Sequence, residues 1–224
     1  MNSIVKNIDC MLGMAEYPDK YFELAIVDIP YGIKIGGNGK IGGNGKITEV
    51  TSYRPVKWDS ETPSPAYFDE LFRISKNQII WGGNYVTDKL PVTNGWILWD
   101  KKEQNDWDDN FSDGEMAWSS FERPLKIFRY LWMGALRKKD VKDENIRIHP
   151  TQKPVKLYKW LLDKYAKQGD KILDTHLGSG SSRIACYDYG FDFTGFELDK
   201  DYFEAQEKRF KDHISQTNLF KPAI

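Results

Sequence analysis

An unbroken apolar run, Leu24-Ala25-Ile26-Val27, stops at Asp28, the pattern of a strand buried on both faces that delivers its polar residues at the carboxyl end. Apolar positions at helical spacing follow over 66–75, through Phe68, Leu71 and Phe72, and short strand patterns occupy 78–81 and 96–99. The alternation over 126–132 predicts a further strand. Pro154 opens a helix through 166 with Leu157, Trp160, Leu161 and Tyr165 on one face, and Gly169 stands just past its end as a stop. A strand over 171–174 then runs into a glycine turn, followed by a helix over 182–189, a strand over 191–196 and a helix over 201–213. The tail beyond 214 is expected to fray. Strand and helix alternate, so the predicted class is α/β with a doubly wound sheet. If the strands ending at Asp28 and Asp174 are neighbours where the winding reverses, their ends face one crevice despite their separation in sequence.

Chemistry concentrates at those two strand ends. After Lys171-Ile172-Leu173-Asp174 come Thr175-His176-Leu177-Gly178-Ser179-Gly180-Ser181, where Gly178 and Gly180 let the backbone bend sharply and approach a ligand that a Cβ would repel. Glu197 closes the next strand about twenty residues on, the place from which a carboxylate takes a ribose diol. A cofactor containing adenosine is implied. A dinucleotide fingerprint wants a third glycine under the pyrophosphate, and Arg183 stands there instead. S-adenosyl-L-methionine has no phosphate and needs no such cradle. The run Ile35 to Lys40, repeated identically as Ile41 to Lys46, lacks the lysine-hydroxyl pair of a phosphate loop, so ATP hydrolysis is unsupported. A doubled surface loop is the favoured reading of this repeat, with a lid over the site as its rival.

The upstream end, Asp28-Ile29-Pro30-Tyr31, suits an amine acceptor. The lone pair of an exocyclic nucleobase amine is delocalised into the ring, so the nitrogen must be held and polarised. The Asp28 carboxylate and the Ile29 carbonyl accept its two hydrogens, Pro30 stiffens the turn, and Tyr31 offers a flat face to an extruded base.

These residues resemble the amino methyltransferases of DNA, whose catalytic motif is Asp-Pro-Pro-Tyr and whose cofactor motif carries a Gly-x-Gly turn. The order here, catalytic motif first and cofactor turn last, is similar to the circularly permuted β group, and His149-Pro150-Thr151-Gln152-Lys153-Pro154 looks like that family's segment beside the methionine part of the cofactor. Two positions depart from the pattern: Ile29 replaces the first proline, and Thr175-His176 stand where Pro-Phe is common. The resemblance implies a Rossmann-like methyltransferase sheet with permuted motif order. It implies Asp28, Ile29, Pro30 and Tyr31 as catalytic residues, and Asp9, Cys10, Lys153, Asp174, Thr175, Gly178, Gly180, Ser181, Glu197 and Leu198 around S-adenosyl-L-methionine. An aspartate at position 28, rather than serine, leans toward N6 of adenine. N4 of cytosine and a catalytically silent DNA-binding relative remain the alternatives.

Composition bounds the picture. A chain of 224 residues suffices for one α/β domain burying roughly 70% of its unfolded surface. The expectation is a single domain over 1–224, with a small target-recognition insertion at about 99–147 and either a homodimer or a short, relaxed recognition sequence. No apolar stretch approaches a membrane span and no secretory core opens the chain, so a cytoplasmic setting in a bacterial or phage-infected cell is expected. Neither Cys10 nor Cys186 follows a proline, which disfavours the thiolate mechanism of cytosine-C5 methylation. The histidines, His149, His176 and His213, are scattered, so no metal site is expected. Net charge is −1, yet 123–156 holds ten basic residues against three acids while 99–122 is acidic. A neutral protein can still turn one basic face to a polyanion, and Arg137, Lys138 and Lys139 are the expected contacts to DNA phosphates.

Overall fold

In a computed structural model of the chain, residues 1–34, 40–41, 51–52, 58–103, 105, 112–133, 136–137 and 147–219 are described. The strands are β1 (Ser3–Asn7), β2 (Phe22–Asp28), β3 (Lys40–Ile41), β4 (Thr51–Ser52), β5 (Ser75–Trp81), β6 (Ile97–Asp100), β7 (Gly114–Ser119), β8 (Lys126–Arg129), β9 (Trp132–Met133), β10 (Leu136–Arg137), β11 (Lys171–Asp174) and β12 (Asp192–Glu197). The helices are α1 (Cys10–Ala15), α2 (Pro65–Ile74), α3 (Val155–Tyr165), α4 (Ser181–Tyr189) and α5 (Lys200–Leu219). Eight strands form one sheet in the order β1-β12-β11-β2-β5-β7-β6-β8, and β9-β10 and β3-β4 are small antiparallel pairs. Within the large sheet β7 alone runs antiparallel to its neighbours.

The apolar run of β2 explains its central place. Leu24 and Ile26 face the core that includes Leu157 and Leu161 of α3 and Ile184 and Ala185 of α4, while Ala25 and Val27 face Phe68 and Leu71 of α2 and Met14 of α1. A strand that buries both faces in this way gains about 1.5–3 kcal/mol per large aliphatic side chain. Helix α2 begins with Pro65 at its first turn and buries Tyr67, Phe68, Leu71 and Ile74, one stripe at helical spacing.

Strands β2 and β11 are parallel neighbours, with Leu24 opposite Ile172 and Ala25 opposite Leu173. The chain leaves β11 through α4 toward β12 on one side and leaves β2 through α2 toward β5 on the other, with the two helices on opposite faces. The expected reversal of winding therefore lies between the strands that end at Asp28 and Asp174. A crevice at the carboxyl ends of such strands is where open α/β sheets bind ligands.

Several elements differ from the sequence expectation. Strand β5 starts at Ser75, directly where α2 ends, instead of at 78. The strand predicted over 126–132 is two short strands, β8 and β9. The tail beyond 214, expected to fray, continues as α5 to Leu219, with His213 Nε2 tied to Asp188 Oδ1 at 2.6 Å in its second half. Strand β7 was unpredicted because Gly-Glu-Met-Ala-Trp-Ser shows no clean alternation, and β1 because its sequence is half polar. The described residues of 99–147 largely build β6 to β10, three of which belong to the large sheet. Cys10 and Cys186 are free thiols.

Candidate active site at the carboxyl ends of the central strands

Asp28 ends β2 opposite Trp81, the last residue of β5. Its Oδ1 lies 2.5 Å from Lys153 Nζ and accepts the Tyr31 hydroxyl at 2.9 Å. Its Oδ2 has no hydrogen-bond partner among the described residues. Lys153, only 3% exposed, also lies 2.9 Å from Glu115 Oε2 and donates to the Tyr31 hydroxyl oxygen at 3.2 Å. Glu115, from β7, is held on its other oxygen by Lys101 Nζ at 3.2 Å. Burial pushes the Asp28 carboxyl above the ordinary carboxylate range against the pull of Lys153. Burial also works to raise Glu115, but the Lys153 and Lys101 ammonium groups outweigh it and hold that carboxyl at about 2. Burial opposes the charge on Lys153, and Asp28 and Glu115 together raise its pKa, so the ammonium stays charged. Sequence reasoning placed Lys153 at the cofactor; the fold places its ammonium on Asp28.

The turn after Asp28 is clamped from outside. Asp59 Oδ1 accepts the Tyr31 and Gly32 backbone N–H groups at 2.7 and 3.0 Å, and the Lys34 N–H donates to the Asp59 carbonyl at 3.0 Å. Ile29 is buried in the α1/α2 core. The Tyr31 ring stacks on half-exposed Tyr85 with centroids 4.9 Å apart and planes 18° apart. Gly82, at φ +77°, backs the same ring so closely that a Cβ there would fall 2.1 Å from it. Its positive φ and this contact both demand glycine.

Across the crevice, Gly178 and Gly180 take φ of +51° and +72°, and Gly180 caps α4. Glu197 points back at this bend: Oε2 accepts the Gly178 N–H and Oε1 the Asp199 N–H, both at 2.8 Å. Each oxygen keeps a lone pair for a further donor, the arrangement a vicinal diol needs. Burial raises the Glu197 carboxyl and the backbone N–H groups oppose it. The guanidinium of Arg183 is committed to Gln206 Oε1 at 3.0 Å and Glu207 Oε1 at 2.5 Å, away from any phosphate role at the bend. The donor and acceptor set therefore fits an adenosine without phosphates.

The remaining predicted cofactor residues divide into framing and flanking groups. Asp174 accepts Ser182 Oγ at 2.5 Å and the His176 N–H at 3.1 Å, and burial lifts its carboxyl to about 7. Thr175 Oγ1 pairs with Tyr67 OH at 2.6 Å, and Ser181 Oγ receives Arg209 Nη1 at 2.9 Å. These three hold the bend in shape. Leu198, 68% exposed, follows Glu197 at the crevice rim. Asp9 caps α1 by accepting the Met11 N–H at 2.8 Å, and burial pushes the adjacent Cys10 thiol up to about 12, which favours the protonated form. Both lie beside Glu197, because Asn7 of β1 is its register partner.

His149 lies over the bend, with its ring 3.6 Å from where a Gly178 Cβ would stand, stacked on Trp58 at 5.3 Å and edge-on to Tyr202 at 4.4 Å. Burial, reinforced by Arg147 and Lys153, drops its pKa to about 3, so the ring is neutral. Burial lowers His176 to about 4 in the same way. Sequence reasoning does not reach Asp59, Tyr85, Lys101 or Glu115; Glu115 stands within the acidic stretch over 99–122, where nothing in the sequence sets it apart from its neighbours. Lys138, Lys139 and the side chain of Arg137 lie outside the described residues, as does the glycine-rich repeat except Lys40 and Ile41. Among the described residues, no three His, Cys, Asp or Glu side chains gather to hold a metal, and no helix is long and apolar enough to cross a membrane.

A polar strand end and a glycine bend with a diol-type acceptor, facing each other across the winding reversal, define a doubly wound α/β protein built around a nucleoside cofactor. Residues 53–208 match the DNA methylase family whose members act on N6 or N4 amines, and the chain belongs to that family. It is 27% identical over 156 residues to the Type II methyltransferase M2.DpnII of Streptococcus pneumoniae, covering 70% of this chain and 50% of the relative. The chain thus spans about half the length of the curated relatives it matches. The solved complex of M1.HpyAVI with SAM superimposes with a TM-score of 0.55 at 19% identity, covering 92% of this chain and 98% of that one. PvuII DNA methyltransferase, which is cytosine-N4-specific, gives 0.57 at 11% identity, covering 97% and 92%. The fold is the Rossmann-like methyltransferase fold.

Proposed function

We propose that the chain transfers a methyl group from S-adenosyl-L-methionine to an exocyclic amine of a base turned out of DNA, and that this amine is N6 of adenine. The observation that carries the reading is the unequal Asp28 carboxylate. Oδ1 is taken by Lys153 and Tyr31, while Oδ2 is left to accept an amine hydrogen beside the Ile29 carbonyl. Two acceptors on the same nitrogen turn its lone pair out of conjugation and toward the bend. The Gly178-Ser179-Gly180 turn and Glu197 would seat the adenosine, and the bound cofactor supplies an electrophilic sulfonium methyl. The protein's task is then mainly to hold two reactants in line. An extruded base would extend the Tyr31–Tyr85 stack at the half-exposed Tyr85, which offsets part of the few kcal/mol that unstacking costs.

Adenine is favoured over cytosine by Asp28 itself, since an aspartate rather than a serine at this position leans toward N6 in the amino methyltransferases that the chain resembles. Reading of the target falls to the part of 99–147 other than β6, β7 and β8, with Arg137, Lys138 and Lys139 on phosphates. Incubation with methyl-labelled cofactor and mixed genomic DNA, followed by mass identification of the modified nucleoside, tests the reading. N6-methyladenine is expected, and Asp28→Ala should abolish it while cofactor binding persists. N4-methylcytosine would overturn the choice of base, and absence of any labelled nucleoside would overturn the activity.

A further inference from the structure

Glu115 reaches both groups that immobilise Asp28. Its Oε2 lies 2.9 Å from Lys153 Nζ and 3.3 Å from the Tyr31 hydroxyl, and its Oε1 is anchored by Lys101 at 3.2 Å. Tyr31 has one hydroxyl hydrogen, so it donates to one carboxylate at a time. The shorter contact, 2.9 Å, is to Asp28, and the tyrosine oxygen in turn receives Lys153 at 3.2 Å. Lys153, Tyr31 and Asp28 Oδ1 thus close a ring of contacts, and Glu115 braces two of its three members from a different strand. Two carboxylates and two ammonium groups balance across the cluster, so Lys153 is shared between two anions and does not neutralise Asp28 alone. A buried charge is tolerated only when such partners compensate it.

We propose that Glu115 is a positioning residue for the transfer: by bracing Lys153 and Tyr31 it fixes the Asp28 carboxylate so that Oδ2 alone is presented to the acceptor amine. The proposal rests on the methyl-transfer reading of the site. With Glu115 made neutral, Lys153 has Asp28 as its remaining anion in the cluster, Oδ1 and the lysine draw together, and the carboxylate becomes a poorer acceptor.

The test pairs a kinetic readout with one independent of turnover. In Glu115→Gln, kcat for methylation of mixed genomic DNA should fall roughly tenfold or more, the consequence of losing a charged hydrogen bond. KM for the cofactor should stay within about twofold, because the bend is untouched. The titration of Asp28, followed by carbon-13 NMR of labelled aspartate, should move to lower pH, since a neighbouring negative charge has gone, and the acid limb of kcat should move with it. If that variant does not fold, Lys101→Met should also lower kcat but move the Asp28 titration to higher pH. Unchanged kcat, or an Asp28 titration that stays in place, overturns the proposal. A wild-type protein that transfers no methyl group, with the Asp28 titration still shifted in the variant, would instead overturn the activity and leave the bracing of Asp28 intact.

Discussion

Replacing Lys153 by methionine keeps most of the side-chain volume and removes the ammonium that sits 2.5 Å from Asp28 and 2.9 Å from Glu115. Lys101 still holds Glu115 at 3.2 Å, so the uncompensated charge falls on Asp28, whose side chain is 16% exposed. Removing one partner of a buried pair typically costs about 3–5 kcal/mol. Protonation sets a ceiling on that cost. Neutralising a carboxyl with an ordinary pKa of about 3.9 takes about 1.4 kcal/mol per pH unit, hence about 4 kcal/mol at pH 7 and about 1.5 kcal/mol at pH 5. The sign follows from the pKa order. Burial already raises Asp28 in the parent and loss of the Lys153 charge raises it further, so the folded variant binds a proton that the folded parent has released, and stability relative to the parent is lost as pH rises between the two folded-state values. The stability deficit relative to the parent should therefore grow from pH 5 to pH 7. Urea unfolding followed by tryptophan fluorescence at pH 5, 6 and 7, with m-values compared, measures it. A deficit that does not change with pH, or one below about 1 kcal/mol at pH 7, would refute the picture of Lys153 as the compensating charge.

Two further outcomes are expected. Glu197→Ala should weaken cofactor binding by roughly 1–3 kcal/mol, read by calorimetry, if the carboxylate holds a ribose diol, and equal affinity would remove that assignment. Gly82→Ala places a methyl 2.1 Å from the Tyr31 ring at a φ of +77°. Left-handed strain of about 1–2 kcal/mol plus a lost stacking contact of about 0.5–1.5 kcal/mol should lower stability and slow transfer together. A stable, fully active variant would show that Gly82 does not set the tyrosine's position.

What could be read from the chain was local. The apolar run before Asp28, the glycines after Asp174 and the carboxylate ending the next strand each carry a short-range pattern, and the doubly wound order follows from their alternation. The cluster around Asp28 has no such signature. Lys101, Glu115 and Lys153 come from three separated segments and meet only because β7 is inserted antiparallel between β5 and β6. Asp59 likewise acts on a turn far from it in sequence. Lys153 is singled out from sequence for the cofactor, and nothing in its neighbours in sequence tells that its ammonium meets Asp28.

The Asp59 clamp has an evolutionary consequence. The chain leaves the catalytic turn at Lys34 and returns at Trp58, and Asp59 ties the outgoing backbone to the incoming one. The geometry at Asp28 is thereby held at the two anchor points themselves. The stretch between them can therefore gain or lose length with little effect on that geometry. Six additional residues in such a span cost only about 0.3 kcal/mol of closure entropy. A verbatim copy of Ile35 to Lys40 as Ile41 to Lys46 is the kind of change in chain length this anchorage absorbs.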